Sequence, residues 1–191
     1  RKIVVKNNGA LIEERIYLGG FEIYRKRNGS GLKLERETLH VMDDKRRIAL
    51  VETKTYDEGA EIPSPTPVIR YQLANYLGSA SVELDAAGEI ISYEEYYPYG
   101  STSYQAGPNT AEVSLKRYRY TGKERDEETG LYYYGARYYA AWLGRWTSCD
   151  PIGVEDGVNV YTYVESNPAT RIEPTGLWGI EMHFAAVYWS G

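Results

Sequence analysis

One cysteine, Cys149, is all the chain contains, so no internal disulfide framework holds it together. Histidine is nearly as scarce, with only His40 and His183, and no Cys/His set has the spacing of a zinc site. No glycine-rich loop sits between a strand and a helix in the way a phosphate cradle needs. No cofactor is therefore expected. Apolar runs are short, none approaching the ~20 residues of a membrane helix. There is no charged-then-apolar leader, and residue 1 is Arg, so the chain is expected to be the excised part of a longer protein. Positive charge is not in excess either. Lys and Arg number 22 against 27 Asp and Glu, a net charge of −5, which argues against a nucleic-acid surface. Tyrosine is abundant instead, with 20 in 191 residues beside only 2 Phe, and Gly reaches 19. Aromatic side chains at that density, in short runs parted by glycine, suit pleated and half-buried surfaces. The expected fold class is mainly β, built of consecutive twisted hairpins with little helix.

Turn chemistry sets the hairpins. Ile3-Val4-Val5 ends at Asn7-Asn8-Gly9, Glu13 to Leu18 at Gly19-Gly20, and Phe21 to Arg27 at Asn28-Gly29-Ser30-Gly31. Leu32 to Val41 meets Asp43-Asp44, and Arg47 to Thr55 follows. Spacings of about ten residues with a turn at each end read as sequential hairpins. Residues 1–57 form this first segment. A proline-rich loop over 58–68 holds Pro63, Pro65 and Pro67, which remove backbone donors at alternate positions. Residues 69–116 return to strands. Ile90, Ser92, Glu94 and Tyr96 alternate there with Ile91, Tyr93, Glu95 and Tyr97, so each face is expected to be only partly dry. The densest aromatic stretch is 117–177, with a short helix expected around Ala136 to Leu143. Trp142, Trp146, Tyr161 and Tyr163 are expected to form its core with Leu131 and Leu143.

Several chemistries are weak on the residues alone. Cys149 lacks a histidine in a thiol-protease pattern, so a small buried residue is expected there. Asp126-Glu127-Glu128 lacks the alternating ligands of a calcium loop and reads as a solvated turn. The Tyr clusters suit stacked rings along a repeated wall better than a sugar-binding platform. Arg125, Arg137 and Arg145 suit ion pairs with the many acidic residues, or stacking on the rings.

Motif by motif, the chain resembles a known family. Tyr76-Leu77-Gly78-Ser79-Ala80-Ser81, Tyr120-Thr121-Gly122-Lys123-Glu124-Arg125-Asp126 and the run Thr129 to Tyr139 are similar to YD-repeat proteins. Gly144-Arg145-Trp146-Thr147-Ser148-Cys149-Asp150-Pro151-Ile152-Gly153, with Asn159-Val160-Tyr161-Thr162-Tyr163 and Asn167-Pro168, resembles the RHS-repeat-associated core domain. The resemblance implies a hollow β-hairpin shell enclosing a C-terminal toxin, as in insecticidal toxin complexes and polymorphic bacterial toxins. It implies that 117–177 plugs one end of that shell. In many members this core is an aspartyl autoprotease cutting just after an Asp-Pro-x-Gly-Leu motif. Here the matching residues are Glu173-Pro174-Thr175-Gly176-Leu177, so the implied scissile bond is Leu177–Trp178. Glu173 stands where the family usually has Asp.

Carboxylate-driven peptide hydrolysis needs two carboxyl groups with divided roles, one activating water and one polarising the carbonyl. The resemblance places a catalytic Asp at Asp150 and the second carboxylate position at Glu173. On the residues alone, Asp156, closer in sequence, is a second candidate partner. An Asp-Pro dipeptide that only starts a turn is the plain alternative. The 14 residues after Leu177 are too few for a toxin domain and are expected to begin a variable C-terminal segment, 178–191. Either the sequence continues past Gly191 or this member has lost its cargo. Two readings stay open. In one, the chain is a shell fragment that self-cleaves after Leu177 to release an effector. In the other, it is a structural or carbohydrate-binding module that never cuts. The resemblance further implies a secreted or cell-surface bacterial protein. Its expected partners are the rest of its own shell, the enclosed toxin and other toxin-complex subunits, with no nucleic acid and no membrane span.

Overall fold

A computed structural model describes residues 1–44, 46–108, 116–154 and 157–177, with the backbone of His183 and Phe184. The chain divides into two units, the first holding 1–72 and 84–89 and the second 73–83 and 90–191. Among the described residues no helix is longer than a three-residue turn. The mainly β expectation is met.

The first unit is a meander in which each strand folds back on the last. β1 (Lys2–Lys6), β2 (Leu11–Leu18), β3 (Phe21–Asn28), β4 (Gly31–Asp43) and β5 (Arg46–Asp57) pair antiparallel in sequence order. The short β6 (Ala60–Glu61) turns back on β5, and β7 (Val68–Ala74) pairs with β5 through Val68–Tyr71. Asn7 and Asn8 adopt φ of 52° and 55°, the left-handed conformation that Asn tolerates, so the first turn forms where the sequence placed it. Few large apolar side chains are buried here beyond Leu50. Cross-strand charges occupy the sheet instead. Glu14 is buried and accepts from Arg1 and Arg27, both at 2.7 Å, and Arg25 meets Glu35 at 2.5 Å. Buried carboxylates persist only when paired in this way.

The second unit carries β8 (Ala80–Leu84), whose last residue counts with the first, then β9 (Ile90–Tyr96) and β10 (Thr102–Ala106). A four-stranded sheet follows, made of β11 (Glu124–Arg125), β12 (Tyr132–Tyr133), β13 (Tyr138–Ala140) and β14 (Arg145–Trp146) in that order. β15 (Arg171–Ile172) pairs antiparallel with β16 (His183–Phe184). Cross-strand neighbours Tyr132↔Tyr139 and Tyr139↔Trp146 line up one face. With Tyr120, Tyr134, Tyr163, Ala141 and Val164 they form the core. Trp146 meets Tyr134, Tyr139 and Tyr163 edge-on at 5.2–5.6 Å between centroids, the arrangement that ring quadrupoles favour.

This core explains why the sequence spends tyrosine and not phenylalanine. Tyr120, Tyr132 and Tyr139 donate to the backbone carbonyls of Pro98, Gly100 and Tyr99. Tyr134 shares hydrogen bonds with Thr121 and Tyr163 at 2.7 and 2.9 Å. Each ring supplies apolar area and its hydroxyl fastens a loop. Gly100 is required for one such contact, since a Cβ there would lie 2.4 Å from the Tyr120 ring.

Two expectations need correction. The segment 136–143 is not helical but forms β13 and the turn to β14, because Tyr138 and Tyr139 pair with β12. Trp142 and Leu143 sit in that turn and are 57% and 62% exposed, whereas Trp146 and Tyr163 are buried and Leu131 and Tyr161 are half-buried. The Ile90–Ser92–Glu94–Tyr96 face of β9 is partly dry as expected, with Ile90 53% exposed and Tyr96 half-buried, while Ser92 and Glu94 at its centre are fully buried. Glu94 is held by Arg119 at 2.7 Å, Lys116 at 3.2 Å and the Thr102 hydroxyl at 2.6 Å. Burial alone would raise its pKa. The pull of Arg119 and Lys116 outweighs burial and holds the carboxyl below its ordinary range.

Candidate functional site

Asp150 follows β14 by four residues and opens a tight turn. Its Oδ1 accepts the Ile152 amide at 3.1 Å, and its backbone carbonyl accepts the Gly153 amide at 3.0 Å. The plain turn reading of Asp-Pro is therefore part of the geometry. The carboxylate is also buried, and its Oδ2 pairs with Arg137 Nη1 at 2.8 Å. Cys149, beside it, is exposed and not the buried residue expected, because the inward position is taken by Asp150.

The second motif forms another carboxylate-capped turn. Glu173 is buried, and its Oε1 accepts the amides of Thr175 at 2.9 Å and Gly176 at 3.0 Å, with the Thr175 hydroxyl at 3.2 Å. The turn is pinned from outside. Lys123 donates to the Pro174 carbonyl, the Ala136 amide donates to the Thr175 carbonyl at 3.0 Å, and Arg137 Nε donates to the Gly176 carbonyl at 2.6 Å. Gly176 has φ of +76°, and a Cβ there would lie 3.0 Å from the Arg137 amide nitrogen. Only glycine permits that close backbone approach without strain.

Arg137 is the hub. Its guanidinium lies 4.2 Å over the Trp146 ring, so the aromatic core sets its position, and from there it holds both the Asp150 carboxylate and the Gly176 carbonyl. Its suggested alternatives, ion pair and ring stacking, are both realised. Asp150 and Glu173 share no hydrogen bond, and the connection between them runs through Arg137 and Gly176. Asp156 and Trp178 lie outside the described residues. Leu177 is 45% exposed, and its carbonyl accepts the Thr175 hydroxyl at 3.3 Å.

A cleft of about 250 Å³ opens beside Asp150, lined also by Gly157, Asn159, Thr162 and Glu165. It has room for water, which needs only about 30 Å³ per molecule. Of its lining residues, Glu165 belongs to a left-handed run, Val164, Glu165 and Ser166, at φ of 44°, 49° and 61°. Val164 is β-branched, so its positive φ is a strained choice. It is held because the Val164 side chain is fully buried in the ring cluster, while Glu165 turns outward to pair with Arg171. Among the described residues no group of His, Cys, Asp and Glu could hold a metal ion. Among the described residues no helix is long and apolar enough to cross a membrane.

Two site residues escaped the sequence reading. Thr175 was only the variable position of a motif, and Arg137 was one of several ring-adjacent arginines. Neither carries a sequence signal for its role.

No family model matches the chain. Toxin subunit YenC1 of Yersinia entomophaga is 40% identical over 171 residues, covering 90% of this chain and 17% of that protein. The tRNA nuclease WapA of Bacillus subtilis is 38% identical over 98 residues, 49% of this chain and 4% of its own length. Among solved structures, TcdB2-TccC3 superposes with a TM-score of 0.79 at 41% identity, over 92% of this chain and 8% of that one. A Photorhabdus luminescens Tc holotoxin pore gives a TM-score of 0.80 at 37% identity, over 96% of this chain and 8% of that one. The chain thus spans about a sixth of the length of its Yersinia relatives, 17% of each. With hairpins, aromatic core and both turn motifs in place, the chain is a segment of an RHS/YD-repeat protein of the toxin-complex shell family.

Proposed function

We propose that residues 117–177 are the RHS core of a toxin-enclosing shell and that this core cuts its own chain once, between Leu177 and Trp178. The observation that carries the reading is Arg137, which ties the buried Asp150 carboxylate to the carbonyl one residue before the bond. Arg137 thereby bridges two motifs whose carboxylates lie 23 residues apart in sequence, which supports reading them as one site. Asp150 borders a cleft with room for water, and on this reading it takes a proton from the attacking water. Lys123, Ala136 and Arg137 hold the Pro174, Thr175 and Gly176 carbonyls, which fixes the turn that leads to the bond. The reaction is intramolecular and occurs once, so a slow site suffices. The product leaves the 178–191 segment and whatever follows as a separate chain. The partners on this reading are the remaining shell, other toxin-complex subunits and an enclosed effector, in a secreted or cell-surface setting.

A second reading rests on Glu173, whose Oε1 is engaged by its own turn and makes no bond to Asp150. On that reading the longer side chain is a structural cap and the plug never cuts. Intact mass of protein extended past Gly191 separates the two. A product ending at Leu177 supports cleavage, and persistent full-length chain supports the cap.

A further inference from the structure

The Thr175 hydroxyl touches both ends of the proposed chemistry. It lies 3.2 Å from Glu173 Oε1 and 3.3 Å from the Leu177 carbonyl oxygen, and it accepts the Leu177 amide at 3.2 Å. A hydroxyl has one proton to donate. It therefore serves either the carboxylate or the carbonyl at a given moment, and both acceptors stay within reach of the same rotor. We propose that Thr175 is a catalytic residue of the self-cleavage, donating its hydrogen bond to the Leu177 oxygen as that oxygen becomes an anion. This inference rests on the autoproteolytic reading above.

Water attacks the Leu177 carbonyl carbon, its proton passing to Asp150, and the carbonyl π pair moves onto the oxygen. Thr175 O–H, released from Glu173, turns to that oxygen. Collapse of the adduct re-forms the carbonyl and breaks the C–N bond, and the proton held by Asp150 goes to the Trp178 nitrogen. The products are a Leu177 carboxyl and a Trp178 amine, with no proton or electron left over. Donors aimed at a developing oxyanion are usually the largest single catalytic contribution, because their attraction grows as charge appears. Glu173 then acts through Thr175. Its Oε1, fixed by two backbone amides, holds the hydroxyl beside the carbonyl before reaction. This is a use for the carboxylate at position 173 that requires no contact with Asp150.

The test follows the uncut fraction of the full-length protein over time by intact mass, with thermal stability measured on the same samples. The parent, Thr175→Val, Thr175→Ser and Asp150→Asn are compared. Removing the hydroxyl by Thr175→Val is expected to slow cleavage about 10²–10³-fold. Thr175→Ser, which keeps the donor, stays within about tenfold of the parent. If Thr175→Val cuts as fast as the parent, or Thr175→Ser is as slow as Thr175→Val, the proposal is overturned while the autoprotease reading survives. If Thr175→Val misfolds, Thr175→Ser and Glu173→Gln carry the test, because a correctly folded Thr175→Ser slowed a hundredfold refutes donation by the hydroxyl. A parent that never cuts, with Asp150→Asn behaving identically, overturns the autoprotease reading and this inference together.

Discussion

Replacing Arg137 by methionine would remove the charge at the hub and keep much of the stem that packs on Trp146. The ion pair it breaks is nearly dry, with side-chain exposures of 1% for Arg137 and 6% for Asp150. Stranding one member of such a pair costs about 3–5 kcal/mol, because the remaining charge keeps its desolvation penalty and loses its partner. The Gly176 carbonyl also loses its 2.6 Å donor. For a chain of this size, that loss corresponds to a Tm lower by roughly 6–20 °C. Asp150→Asn should be costly for the mirror reason, since one of the two accepting oxygens becomes an NH₂ set against either Arg137 or the Ile152 amide, donor against donor. Asp150→Asn is thus not a silent catalytic knockout, and its effect on cleavage has to be read beside a stability measurement. The double variant removes both charges and should recover about 1–3 kcal/mol relative to the sum of the singles. Urea melts of the four chains, followed by tryptophan fluorescence, measure this coupling. Additive singles, or an Arg137→Met loss below about 1 kcal/mol, would show that the pair is not the buried link described.

Trp146→Ala should cost about 3–5 kcal/mol through the cavity it leaves. Trp146→Phe should cost about 1–2 kcal/mol, because the indole Nε1 is buried without a partner among the described residues and its removal offsets part of the lost volume; equal losses in urea melts would contradict the packing. Burial raises the phenols of Tyr134 and Tyr163 well above their ordinary value. They stay neutral in the fold while an unfolded chain ionises near pH 10, so stability is full below that pH and falls above it. The slope is about 1.4 kcal/mol per pH unit for each such tyrosine. A melting temperature flat from pH 9 to 11.5 would refute this. Glu94→Gln strands Lys116 and Arg119 together and should destabilise by about 3–5 kcal/mol in the same melts; a change under about 1 kcal/mol would show that the three charges are solvated. Glu173→Asp retracts the carboxylate by roughly 1.5 Å toward the family pattern and should speed the appearance of a Leu177-ended product; a slower rate would mean the site is built around Glu.

The first-unit hairpins were legible because turn residues mark them. Asn7-Asn8-Gly9, Gly19-Gly20 and Asp43-Asp44 each sit between the strand pairs that form, and β1 to β5 match the expected runs closely. The 117–177 segment was less legible. Its strands are two or three residues long, so periodicity has too few positions to report a face. Trp142 and Leu143 were misplaced for that reason, being apolar residues at a hairpin tip. The full burial of Glu94 within a partly dry face has no local signal, because its cations arrive from Lys116 and Arg119, more than twenty residues away. Asp150 and Glu173 were reached through resemblance to a motif. The bonds joining them to Arg137, Gly176 and Thr175 depend on two turns meeting in space, which no local pattern encodes.

The most direct test of the account is the intact mass of the full-length protein and of its Asp150→Asn variant after both are shown to be folded. The account predicts a parent fragment ending at Leu177, with a complementary chain beginning at Trp178, and an uncut variant. A folded parent that persists as a single full-length chain, or a folded Asp150→Asn variant that cuts as fast as the parent, would contradict it.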